Sequence, residues 1–241
     1  AHTVARRSGS RLQLLRSLLG QCKLGPVRLQ FLWPRQLEFR PGKLPPFAAY
    51  RQPVLAVRLN QDGARELVRL RWGLIPFWSK GPDNRYSMIN ARAETVDTKP
   101  AYRNAFKHRR CLVPAEGFYE WQAGQGGKTP FLIRRASGEP FAMAGLWERW
   151  HGEEGDTIES CTILVTDANA LVHAIHDRMP VILGREDHAA WLDPGNQDAD
   201  DLLAMLKPAD PAPWTMHPVS RQVNSPRNDS PGLLEPVDAA G

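Results

Sequence analysis

Two carboxylates in an apolar run pose the first chemical question. In CLVPAEGFYEW, residues 111–121, Glu116 and Glu120 stand among Phe118, Tyr119 and Trp121. Read as one strand, positions 116, 118 and 120 share a face, so both acids lie beside an aromatic ring. A carboxylate there loses hydration, its pKa rises, and it can exchange protons near neutral pH. An edge strand with its acids in water is the other reading, and composition does not separate the two. In AIHDRMP, residues 174–180, His176 stands where a helix is expected to give way to a strand, flanked by Asp177 and Arg178. Such junctions often carry site residues. His173 and His176 are spaced to share a metal ion, but no second Cys or His cluster completes a ligand set, and a surface or structural histidine is the alternative.

A third constellation spans RWGLIPFW and MINARAET. Trp72, Trp78, Asn90 and Arg92 are the residue types that stack on bases and contact the phosphates of a single strand. The ordinary alternative is that the tryptophans fill the core and Asn90 closes a turn. HPVSRQVNSPRND, residues 217–229, reads alone as a polar extended loop.

Bulk properties limit what these residues can belong to. A chain of 241 residues suits one domain with or without an extension. Three cysteines (Cys22, Cys111 and Cys161) without a C-x-x-C pair argue against a disulfide framework or a zinc knuckle, and fit a reducing compartment. No apolar run approaches the roughly 20 residues of a membrane-spanning helix. The net charge of +5 is unevenly placed: residues 1–50 hold seven Arg and two Lys against Glu38 alone, which leaves −3 for the remaining 191 residues. Overall basicity therefore does not by itself indicate nucleic-acid binding.

The elements that must position the candidates follow from pattern. LQLLRSLL at 12–19 suits a short helix, and the rest of the first 50 residues is broken by Pro and Gly. PVLAVRLNQDGARELVRLRW predicts a β-hairpin around NQDG. TKPAYRNAFKHRR (98–110) predicts a helix leading into the strand of the opening motif, and AGQGGK a turn. Strands are expected near 130–135, 140–147 and 158–166, a helix with an Asp cap over 167–177, helical patches near 185–192 and 198–206, and a last extended segment at WTMHPVSRQVN. The sum is a single α+β domain, a mainly antiparallel β-sheet or open barrel with flanking short helices. P-loop, G-x-G-x-x-G and H-E-x-x-H motifs do not occur, which demotes nucleotide-dependent and zinc-protease chemistry.

Together and in this order, RWGLIPFW, MINARAET, CLVPAEGFYEW, AIHDRMPVIL and HPVSRQVNSPRND resemble the SOS response-associated peptidase family, from about Gln52 to Pro236. The resemblance implies a protein that shields abasic sites in single-stranded DNA. In that family an N-terminal cysteine attacks the aldehyde of the ring-opened sugar: its α-amine forms a Schiff base and its thiolate closes a thiazolidine. The resemblance further implies that Asn90 orients that N-terminus, that Glu120 handles protons, and that His176 assists ring opening and imine chemistry. Arg92 and Arg178 are implied phosphate contacts, Trp72 a DNA-facing aromatic, and Thr166 a polar contact, with no role for Glu116. It implies no cofactor and no metal, abasic single-stranded DNA as partner, no membrane, a monomer, and a cytoplasmic location with nucleoid association on damage. The family opens with Met-Cys-Gly-Arg, whereas this chain opens AHTVARRSGS, the motif occurs nowhere in it, and Cys22 in GQCKLG lacks a free α-amine. Residues 1–50 are thus expected to be an atypical basic segment from a shifted frame or misassigned start, joined to the family's domain at 51–237. Whether the chain is an enzyme stays open between abasic-site crosslinking, a cysteine-type peptidase limited to self-processing, and a non-catalytic single-strand binder.

Overall fold

Asn60 sets the first turn among the described residues. Its Oδ1 accepts from the backbone N–H groups of Asp62 (3.0 Å) and Ala64 (2.9 Å), and Gly63 takes the positive φ that the turn requires. The turn joins β1 (Pro53–Leu59) to β2 (Arg65–Trp72) as the NQDG signal predicts. The computed structural model describes residues 53–82, 88–225, 227–228 and 230–238. The helix expected at 12–19, Cys22 and the rest of the basic segment lie outside the described residues.

The remaining elements are β3 (Asn90–Arg92), α1 (Arg103–His108), β4 (Arg110–Ala115), β5 (Phe118–Gly124), β6 (Gly127–Arg135), β7 (Phe141–His151), β8 (Thr157–Asp167), β9 (Arg178–Pro180), β10 (Ile182–Leu183), α2 (His188–Leu192), α3 (Ala199–Ala204) and β11 (Trp214–Pro218). β7 pairs antiparallel with both β4 and β8, β4 pairs with β1, and β2 joins β8 in parallel at Arg71↔Ser160 and Trp72↔Cys161. The expected α+β architecture, mainly antiparallel with short flanking helices, is therefore present, and five of its strands close into a ring. β6 pairs with β5 and β11 in a separate three-stranded sheet.

Which face of the ring is inside follows from what covers the other. Val57, Leu112, Ala144, Leu146 and Leu164 pack with Phe106, Trp191 and Leu202 of the helices, so that face is outside. Ala56, Leu70, Cys111, Val113, Cys161 and Ile163 form the inner cluster, which Phe141 and Trp214 extend toward the small sheet. A narrow ring needs small inward residues. A Cβ on Gly145 would sit 3.0 Å from Cys111 Sγ and 3.1 Å from Thr162 O.

Two local expectations change. CLVPAEGFYEW is not one strand: β4 ends at Ala115 in the barrel and β5 begins at Phe118 in the small sheet. Gly117 makes the corner, where a Cβ would come within 2.8 Å of Leu132 Cδ1 and 3.0 Å of Ile133 O. Glu116 and Glu120 therefore do not share a strand face. The helix expected over 167–177 shrinks to a 3-10 turn, Val172–Ala174. Asp167 is drawn into the β8–β9 ladder opposite Arg178, and the capping role passes to Asn169, whose Oδ1 accepts from the Val172 N–H at 3.0 Å.

After β11 the chain runs back over the small sheet as a strap. Val219, Val223 and Leu233 bury themselves with Leu132 against Tyr119 and Trp121. Trp121 Nε1 donates to Asn224 Oδ1 (2.7 Å), Tyr119 Oη to Leu233 O (3.3 Å) and His217 Nε2 to Leu234 O (3.1 Å). No helix among the described residues is long and apolar enough to cross a membrane.

The helices are tied to the barrel by a buried guanidinium. Arg110 donates to Phe106 O and Lys107 O of α1, to Trp191 O and Asp193 O at the end of α2, and to Asn196 O, all within 2.8 Å. Helix C-termini leave such carbonyls without partners and favour a cation there. Arg110→Ala is expected to lower the unfolding free energy by at least about 3 kcal/mol, because several buried carbonyls lose their donor at once. Arg110→Lys should recover only part of it, since an ammonium has three donors and no planar fork. Urea unfolding of the three proteins checks this, and equal stability of Arg110→Ala and wild type would contradict it.

Candidate active site

The central pair is Glu120 with His176. Glu120 lies on β5 opposite Phe131, and its carboxylate Oε2 is 3.8 Å from His176 Nε2. Burial raises the Glu120 carboxyl above its ordinary value, opposed in part by the charge on His176 and a backbone hydrogen bond from Trp121. His176 follows the 3-10 turn, and its own N–H is bonded to Val172 O at 2.9 Å.

The His176 ring can serve in both protonation states without moving. Its Nδ1 lies 3.0 Å from the Arg178 N–H and 3.1 Å from the Arg178 carbonyl, with Asp177 Oδ1 at 3.5 Å. Neutral imidazole accepts from the Arg178 N–H through Nδ1, which puts the proton on Nε2, facing Glu120. Imidazolium donates through Nδ1 to the carbonyl or to Asp177. A facing acid and base, one with a raised carboxyl, can pass protons to and from a third group held between them.

Arg178 continues the chain of contacts. Its Nη1 is 2.5 Å from Glu94 Oε1 and 3.2 Å from Asp167 Oδ1. Burial alone would raise Glu94, but its backbone hydrogen bond, Arg178 and the Arg92 charge more than offset this and hold it below the ordinary value. Glu94 thus links β9 to the end of β3, where Asn90 and Arg92 are exposed on one face and Ala91 is buried between them. β3 is held by its parallel pairing with β8, Asn90↔Ile163 to Arg92↔Val165. Glu94 is a site residue that motif reading did not single out; its place two residues beyond Arg92 in the same motif was the available signal.

The other candidates separate into inner and outer positions. Thr166 is buried on β8 opposite Met179. Trp72 is half-buried against the inner cluster, and its Nε1 donates to Ile89 O at 2.9 Å, which fixes the chain just before Asn90. The outward aromatics are Phe77 and Trp78, 50% and 57% exposed. Their loop is anchored where Ile75 N donates to Ser160 Oγ (2.9 Å) and Trp150 Nε1 to Ser79 O (2.8 Å). Cys111 and Cys161 are fully buried; burial pushes the Cys111 thiol well up and the Cys161 thiol to about 12, so neither is a ready nucleophile. Among the described residues no three His, Cys, Asp or Glu side chains gather as a metal site would require.

Comparison with known proteins identifies a family and a fold. The family model for SOS response associated peptidase (SRAP) matches residues 45–226. The chain is 45% identical over 185 residues to the abasic site processing protein YoqW of Bacillus subtilis, covering 76% of this chain and 82% of that one. It is 37% identical over 196 residues to the abasic site processing protein HMCES of Xenopus tropicalis, covering 72% and 58%. A crystal structure of a Bacteroides thetaiotaomicron protein superposes with a TM-score of 0.69 at 30% identity, covering 78% of this chain and 82% of that one.

The raised Glu120 carboxyl has a signed consequence. A carboxyl whose folded pKa exceeds its unfolded one favours the protonated folded state, so stability is full below the unfolded value near 4.5 and is lost as pH rises through the folded value. Glu120→Gln cannot ionise and escapes that loss. It is expected to match wild type at about pH 4 and to exceed it in unfolding free energy at about pH 8. The same difference at both pH values would show that ionisation of Glu120 carries no penalty.

Proposed function

The chain belongs to the SOS response associated peptidase family, and from this we propose that it processes abasic sites in DNA, with a single strand as the form bound and a monomer as the acting species. Residues 51–237 make up the working domain on this reading, and its location is the cytoplasm, at the nucleoid when DNA is damaged.

The observation that carries the reading is the Glu120–His176 pair, contributed by the small sheet and by the β8–β9 connection of the barrel sheet and facing at 3.8 Å. An abasic sugar equilibrates between a ring-closed hemiacetal and an open aldehyde. Opening requires removal of the proton from the anomeric hydroxyl and its delivery to the ring oxygen. An amine then adds to the aldehyde carbon, and the carbinolamine loses its hydroxyl as water once that oxygen is protonated, leaving an imine. His176 is suited to the first transfer, and Glu120, whose carboxyl burial raises above its ordinary value, to the last. The nucleophile implied by the resemblance, an N-terminal cysteine, is not among the described residues.

The strand would be held by groups around this pair. Arg92 is exposed near Glu94 for phosphate, and Arg178 presents its guanidinium while Glu94 and Asp167 hold Nη1. Asn90 directs the attacking amine, with Thr166 and Trp72 beneath as polar and aromatic lining. Phe77 and Trp78 offer rings to the neighbouring bases.

A single-stranded oligonucleotide with one abasic site tests the proposal by borohydride trapping of the imine. Glu120→Gln and His176→Ala are each expected to slow trapping at saturating DNA by about 100-fold or more. Arg92→Ala should weaken binding and reduce its salt dependence by about one counterion, and Trp78→Ala should weaken it without changing that dependence. Equal affinity for intact and abasic strands, with no trapped adduct, would overturn the reading.

A further inference from the structure

We propose that Gln122 is a positioning residue that sets the separation of Glu120 and His176. The inference rests on the reading above that this pair moves protons. Glu120 and Gln122 are alternate residues of β5 and share a face, with side chains about 7 Å apart along the strand. Gln122 Nε2 donates to Ala174 O at 3.3 Å, from the small sheet to the last residue of the 3-10 turn, Val172–Ala174. That carbonyl lies at the C-terminal end of the turn, where acceptors have no partner within the helix. The next two N–H groups, of Ile175 and His176, both bond to Val172 O, so the chain between Ala174 and His176 has little freedom. Holding Ala174 therefore holds His176.

The need for such a tie comes from topology. Glu120 stands on an edge strand of the three-stranded sheet, while His176 hangs from the β8–β9 connection of the barrel. The β5–β6 ladder fixes Glu120 in the small sheet, the β8–β9 ladder holds Arg178 just beyond His176, and neither ladder joins the two. At 3.8 Å the pair is just beyond hydrogen-bond length, so a drift of about 1 Å further apart would uncouple it. Gln122 crosses the gap two residues along the same strand face. It needs a donor for this role, which glutamine has and an ionised glutamate lacks.

The charged groups that act on the Glu120 carboxyl are His176 and Asp177 from the turn and Lys128 from β6, and a change at Gln122 alters none of them directly. Gln122→Ala is expected to slow imine trapping at saturating abasic DNA about tenfold with affinity for that DNA unchanged. It should also move the alkaline limb of the pH–rate profile upward, because Glu120 then loses part of the His176 charge that opposes its rise. Gln122→Glu, without a donor, should also be slow. In a His176→Ala background, Gln122→Ala should add nothing, since it acts through the histidine. Gln122 is partly solvent-exposed, so thermal unfolding of Gln122→Ala should match wild type. Slow trapping by Glu120→Gln together with a wild-type rate and pH profile for Gln122→Ala would overturn this proposal alone. Wild-type trapping by Glu120→Gln would overturn the functional reading and this inference with it. A tenfold loss that persists in the His176→Ala background would show that Gln122 acts elsewhere.

Discussion

One strand carries most of the geometry on which the site depends. β8 pairs with β7 along its first half and with β9 beyond it, and on its other edge with β2 and then β3. The first of each pair closes the barrel; the second of each continues past the rim. Asn90, Arg92, Thr166 and Arg178 thus stand on one hydrogen-bonded framework, so their mutual spacing is set by ladder register rather than by loop conformation. Parallel pairing of β3 is what permits this. An antiparallel β3 at the same edge would reverse the order of Asn90 and Arg92 relative to Val165 and carry Arg92, with Glu94 beyond it, away from Arg178.

Charge is organised along the same framework. From Glu120 a line of contacts runs through His176 and Arg178 to Glu94, near the Arg92 charge, with an acid at either end and basic groups between. Each acid then has a basic group beside it, while burial still raises the carboxyl at the Glu120 end. The arginine in the middle is kept extended by two acids on a single nitrogen, which leaves the rest of its fork geometrically available to an anion. A site that must approach a polyanion and also manage protons gains from separating those tasks along one line.

Much of this was legible in sequence for reasons that are local. Hairpin turns are written by Asn, Asp and Gly at fixed offsets, and the β1–β2 turn formed as its NQDG motif indicates. The short amphipathic helices near the C-terminus likewise follow their pattern as α2 and α3. What misled was the assumption that an uninterrupted β-prone run stays in one sheet. Gly117 breaks CLVPAEGFYEW because two sheets meet there, a tertiary fact that local alternation does not encode. The 167–177 segment departs from its pattern for the same reason: Asp167 pairs with Arg178, eleven residues on, in the β8–β9 ladder, and capping moves to Asn169. Gln122 carries no signal on its strand until its partner is placed across the gap, and Glu94 carries only its place two residues beyond Arg92 in the same motif.

The division between barrel and small sheet gives the molecule two levels of stability. β5 has a ladder partner on one side only, and its other support is the strap, through Trp121 to Asn224 and Tyr119 to Leu233. Opening of strap and hairpin together would withdraw Glu120 while the barrel, with its closed ring and buried Arg110, stays folded. Integrity of the candidate site and global folding are then distinct equilibria. Amide exchange in β5 and the strap would proceed through sub-global openings, and heat or mild denaturant would silence the site before the bulk of the protein registered any loss of structure.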